Sequence, residues 1–133
     1  MFSITSSSSD SELVFSDPRK DYFTVEIKSD EVRAIRKVYA YSPHRPSLGA
    51  LFVRIVGHER PWEGAEYWES LEGEFFLSAT CSHLGVVTFS LSIISRPDAS
   101  DKWSISATQS VGLGQLPDIC ARAAQFFGVV AGA

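Results

Sequence analysis

A chain of 133 residues is long enough for one domain with its own core, since a fold of this size withdraws about two-thirds of its unfolded surface from water. With 44% apolar and 21% charged residues it has the composition of a globular protein and not of a disordered segment. The formal net charge of −4 argues against nucleic acid as a partner, because a phosphate backbone is held by clustered Lys and Arg.

The opening Met1-Phe2-Ser3-Ile4-Thr5 has neither the basic nor the apolar stretch of a secretory signal, and the apolar tail Phe126 to Ala133 is too short to span a bilayer. Cys81 and Cys120 are too few for a disulfide framework. The expectation is a single domain over 1–133, cytoplasmic, without membrane contact and without a cofactor.

In chain order, Ser6-Ser7-Ser8-Ser9-Asp10-Ser11 reads as a turn or loop between short strands. Phe23, Val25 and Ile27 alternate with Thr24, Glu26 and Lys28 and predict a half-buried strand. Val32 to Tyr41 is also strand-like, with a break near Ile35-Arg36-Lys37 where a bulge would bring Val38 and Ala40 inward. Ser47 then caps a helix whose stripe is Leu48, Leu51, Phe52, Ile55 and Val56, stopped by Gly57 and Pro61.

Three strands follow. Phe75, Leu77, Ala79 and Cys81 share one face of the first, and Val87, Phe89, Leu91 and Ile93 one face of the second. Trp103, Ile105 and Ala107 line the third. Turns fall at Ser82-His83-Leu84-Gly85 and at Pro97-Asp98-Ala99-Ser100-Asp101. A last helix starts near Gln115, with Pro117 and Asp118 in its first turn and the stripe Leu116, Ile119, Cys120, Ala123, Phe126, Phe127. The fold class expected is α+β, an antiparallel β-meander sheet with two helices packed on one face.

Several fixed points run from Trp62 to Phe127: Trp62-Glu63-Gly64, WESLEGE at 68–74, LSAT at 77–80, and Leu84-Gly85. Trp103, Ala107-Thr108 and Gly114-Gln115-Leu116 complete the series. This half of the chain resembles a small bacterial domain family of unknown function, similar in size and layout to immunity proteins of toxin–antitoxin competition systems. The resemblance says nothing about chemistry, since the family carries no catalytic assignment. Cys81 and Val86 stand where the family pattern has histidines.

Charge is uneven. Glu59, Glu63, Glu66, Glu69, Glu72 and Glu74 face Arg60 alone, so residues 59–74 carry −5 and the other 117 residues sum to +1. The basic residues Arg19, Lys20, Lys28, Arg33, Arg36, Lys37, Arg45 and Arg54 all come earlier. Trp62, Tyr67 and Trp68 lie within the acidic run, and aromatics inside a charged rim are the composition of a protein-binding hot spot. The competing reading is a solvated connector whose tryptophans turn into the core.

By contrast, Phe75–Ser95 and Trp103–Pro117 contain no Asp, Glu, Lys or Arg. The side of these strands opposite the core shows Phe76, Ser78, Thr80, then Thr88, Ser90, Ser92, Ile94, then Ser104, Ser106, Thr108. Exposed sheet faces usually carry charges that discourage sticking, so this one is a candidate interface with a partner or a second copy. The N-terminal strands folding over it, or plain exposure to solvent, are the alternatives.

Metal ligation has little support. His44, His58 and His83 are far apart, and Cys81-Ser82-His83 lacks a second pair. No serine lies in a G-x-S-x-G turn, both cysteines are expected inward and inert, and Gly112-Leu113-Gly114 lacks a phosphate-loop spacing.

The balance weighs against an enzyme. It favours a protein-binding domain for a basic partner, on the model of an immunity-type inhibitor that covers a basic site on a toxin, with Trp62 and Trp68 as anchors, Tyr67 beside them, and Glu63, Glu66, Glu69 and Glu72 supplying charge. Two alternatives stand beside it: a small enzyme or ligand cup using Glu69 or Glu72 as acid or base, and a homodimer pairing through Phe76, Ser78, Thr88, Ser90 and Ile94.

Overall fold

The computed structural model describes residues 1–43 and 46–128; His44, Arg45 and the tail from 129 onward lie outside them. The first four strands are β1 (Phe2–Thr5), β2 (Glu12–Ser16), β3 (Tyr22–Lys28) and β4 (Arg33–Tyr39), which form an antiparallel sheet in that order. The helix α1 (Leu48–Val56) leads to a second antiparallel sheet of β5 (Glu66–Glu69), β6 (Phe75–Cys81), β7 (Val86–Ile94) and β8 (Ser104–Gly112), again in chain order. A 3-10 turn over Leu113–Gln115 runs into the helix α2 (Leu116–Phe127).

The protein is thus mixed α and β, but mostly β, with two four-stranded sheets in place of the one meander sheet expected. The additional strands are short. β1 has two inward apolar residues, Phe2 and Ile4, and β5 is built from acidic and aromatic residues with no apolar alternation.

Local chemistry explains the helices. The Ser47 hydroxyl accepts from the Ala50 amide at 3.2 Å, and Leu48, Leu51, Phe52 and Ile55 form the buried stripe of α1. Pro117 and Asp118 occupy the first turn of α2, and Gly128 ends it at φ 72°. Leu116, Ile119, Cys120 and Ala123 are its buried residues, with Phe126 and Phe127 half-buried against the same core.

Two expectations about strands are corrected. β4 pairs with β3 in unbroken register from Arg33↔Lys28 to Tyr39↔Tyr22, so there is no bulge. Arg36 stands among inward positions and escapes along the sheet edge, its Nε donating to Ile94 O at 2.9 Å. Trp103 precedes β8 and is exposed, while the strand continues past Ala107 through buried Gln109 and Val111.

Both sheets and both helices share one apolar cluster. Phe15 of the first sheet meets Phe75 of the second edge-on at 6.1 Å, and Phe52 of α1 touches Phe2 at 5.6 Å and Phe89 at 6.5 Å. A polar seam adds to this junction. Glu74, between β5 and β6, accepts from the Tyr39 amide of β4 at 3.2 Å, and Ser7 N donates to Ser110 O at 2.7 Å.

Candidate functional site

The hairpin from β5 to β6 decides where the acidic segment goes. Ser70 N donates to Phe75 O at 2.9 Å, and Gly73 takes φ 77° in the intervening turn, a conformation that costs glycine nothing. With the turn fixed, β5 pairs as Glu66↔Ala79, Tyr67↔Ser78, Trp68↔Leu77 and Glu69↔Phe76. Side chains alternate, so Glu66 and Trp68 point with the core residues while Tyr67 and Glu69 stand on the opposite, outer face.

That outer face is a set of cross-strand rows. Glu69, Phe76, Ser92 and Ser106 make one row, and Tyr67, Ser78, Ser90 and Thr108 the next. Thr80, Thr88 and Ser110 follow, with Ile94 and Ser104 at one end and Val86 at the other. Tyr67 and Phe76 stack at 5.9 Å with an interplanar angle of 27°. Beside Phe76 lies a shallow depression of about 390 Å³ lined by Ser90, Ser92, Ser106 and Thr108.

β6, β7 and β8 present no charged side chain on this face. The first sheet supplies an internal comparison. Its outer face carries Glu12, Glu26, Lys28, Arg33 and Lys37, with Lys28 paired to Glu12 at 3.3 Å and Arg33 paired to Glu26. The first sheet also meets the second from its inner side, through Phe15 and Phe23, and so does not cover the Ser/Thr rows.

The other predicted site residues scatter. Trp68 is 4% exposed, with its indole N–H donating to Pro46 O at 3.1 Å, and is corrected from a partner anchor to a core residue. Trp62 is half-buried and stacks on His58 at 4.5 Å. Glu66 is engaged by His58 Nε2 at 3.2 Å and lies 4.0 Å from Arg54 Nε. Glu63 and Glu72 are exposed, in the loop before β5 and in the turn after it. The acidic run is therefore not one patch: Glu69 borders the uncharged face, Glu72 stands in the turn beyond it, Glu63 lies before the other end of β5, and Glu74 is buried.

The chain matches, over residues 4–130, a family described only as one of unknown function, DUF6228. It belongs to that family. No curated protein and no solved structure matches it.

In this DUF6228 member the carboxylates of the acidic run fall in different surroundings. A cleft of about 360 Å³ is lined by Arg54, Glu66, Tyr67 and Glu69; Glu66 faces His58 and Arg54, and Glu69 is exposed. Among the described residues no group of three or more His, Cys, Asp or Glu is placed to hold a metal ion. His83 is exposed in its turn, and Cys81, at the end of β6, is half-buried. Cys120 is buried, and that burial pushes its thiol pKa up to about 12. No helix among the described residues is long and apolar enough to cross a membrane.

Sequence reasoning found the Ser/Thr rows but not their neighbours. Tyr67 and Glu69 join the face only because β5 pairs with β6, and Ser110 only because β8 runs through Gln109. The second signal was present, since Ser106, Thr108 and Ser110 continue one alternation.

Proposed function

We propose that this chain is a non-enzymatic, cytoplasmic protein-binding domain whose contact surface is the outer face of the second sheet. The observation that carries the reading is the contrast between the two sheets of one molecule. One outer face is studded with paired charges, while the other offers Ser and Thr around a Tyr67–Phe76 stack with no charge on three strands. A charge-free face of small side chains lets another backbone approach closely, and aromatic residues supply most of the energy at such contacts.

Glu69 at the margin, opposite Phe76, gives the partner its expected chemistry. It carries basic residues around a flat, uncharged centre, and the acidic margin speeds its capture at low salt. An inhibitor of the immunity type, laid over the basic site of a toxin, is the role we assign to such a surface.

The test compares capture of a partner from the source cell by three forms of the protein. Ser90→Glu puts a carboxylate in the middle of the face, and Thr24→Glu puts one on the outer face of the first sheet. With all three equally folded, the account expects Ser90→Glu alone to lose the partner. Equal retention by Ser90→Glu and the wild type contradicts it.

A further inference from the structure

Every sheet edge presents unpaired amides and carbonyls, and an edge left open invites another strand. The edges here are β1, β4, β5 and β8. On β1, Ser3 O accepts from Arg122 Nη1 at 2.7 Å; on β4, Tyr39 N donates to Glu74; on β5, Tyr67 O accepts from Arg54 Nη2 at 3.1 Å.

The edge of β8 has an open run that carries no charge. Ser95 N donates to Trp103 O at 2.9 Å and Leu113 N to Gly85 O at 2.8 Å, in the same register that pairs β8 with β7. Antiparallel bonding alternates, so the odd-numbered residues of β8 bond to β7 and the even-numbered ones turn their backbone outward. Ser110 is met by Ser6 and Ser7, and Gly112 N donates to Gln115 Oε1 at 2.7 Å. Ser104, Ser106 and Thr108 meet no hydrogen-bonding partner on this side among the described residues.

We propose that this open edge pairs with the same edge of a second copy, antiparallel about a two-fold axis, with Ser106 opposite Ser106 and Ser104 opposite Thr108. The open residues are symmetric about Ser106, so this register uses every free amide and carbonyl and leaves none over. Sliding the strands strands at least one pair, and Ser110 is already occupied.

Charge selects the copy as occupant. Self-pairing of β4 about Ile35 sets Arg33 against Lys37. β8 contains no charge, so two copies of a chain with net charge −4 meet there without like charges directly opposite. The paired stretch is only roughly 17 Å long and one strand wide, a smaller contact than the ~800 Å² per partner of a standard interface. The dimer is therefore weak and concentration-dependent.

Sedimentation of the wild type from micromolar to millimolar concentration tests the proposal. The expected mass rises from 14.6 kDa towards twice that value, with amide exchange at Ser104, Ser106 and Thr108 slowing in step. Ser106→Pro removes an amide that points away from β7, keeps the monomer ladder, and weakens the dimer about tenfold or more. Should that variant misfold, Ser106→Lys sets like charges across the axis, and high salt then restores the dimer.

A wild type at 14.6 kDa throughout overturns the proposal, as does a dimer that both variants leave unchanged. So does a dimer broken by Ser90→Glu and not by Ser106→Pro, which marks face-to-face packing. Ser90 lies on β7, away from the edge, and Ser106→Pro adds no charge to the face. Failure of the edge and failure of the face as a binding surface are thus read separately.

Discussion

The carboxylate of Glu74 sits inside the protein at 4% exposure, where it accepts from the Ser70 hydroxyl and the Tyr39 amide. Its position in an acidic run made it look like one more surface charge. Which of six glutamates is fully buried depends on the hairpin around Gly73, and charge alone does not mark it. Glu74→Ala leaves a buried amide and hydroxyl without their acceptor, and urea unfolding should show a loss of about 1–3 kcal/mol.

Cys120 is the opposite case, because its helical stripe already predicts burial. Its folded pKa of about 12 lies above the ordinary thiol value of 9.0, so between these values the folded state holds a proton that the unfolded state has released. Stability therefore falls as pH rises through that window, by at most about 1.4 kcal/mol per unit. Unfolding midpoints from pH 9 upward should show this slope in the wild type and not in Cys120→Ala. A thiol reagent at pH 8 should label Cys81 in the folded protein and reach Cys120 only on unfolding.

At the scale of elements, periodicity served well wherever a strand or helix alternates cleanly. The inward residues of β3, β6 and β7 and the stripes of both helices lie where the spacing puts them. It failed where a polar residue takes an inward position. Arg36 suggested a bulge that β4 does not have, and Gln109 concealed the second half of β8.

β5 was illegible for the same reason, since its inward pair is Glu66 and Trp68. Its two aromatic residues should now behave differently. Trp68→Ala empties part of the core and is expected to cost about 3–5 kcal/mol of stability. Tyr67 is 58% exposed, so Tyr67→Ala should change stability by less than about 1 kcal/mol while weakening partner capture. Equal destabilisation in chemical denaturation contradicts this division of the strand.

For the whole molecule, the two-sheet arrangement was beyond the reach of the sequence because it depends on pairings between distant segments. The Ser/Thr rows could be read from alternation, yet whether the N-terminal strands covered them could not. Phe15, Phe23 and Phe75 answer that by packing on the inner side. The two features that looked separate, an acidic aromatic run and an uncharged face, meet at Tyr67, Glu69 and Phe76.

Whether that surface is where another protein docks is tested most directly by photo-crosslinking in the source cell. A photoreactive residue is placed in turn at Ser78, Ser92 and Thr108 on the second sheet and at Thr24, Glu26 and Lys37 on the first. The account predicts one cross-linked partner, shared by the three positions of the second sheet and missing from those of the first. Cross-links confined to the first sheet, or spread evenly over both, contradict it.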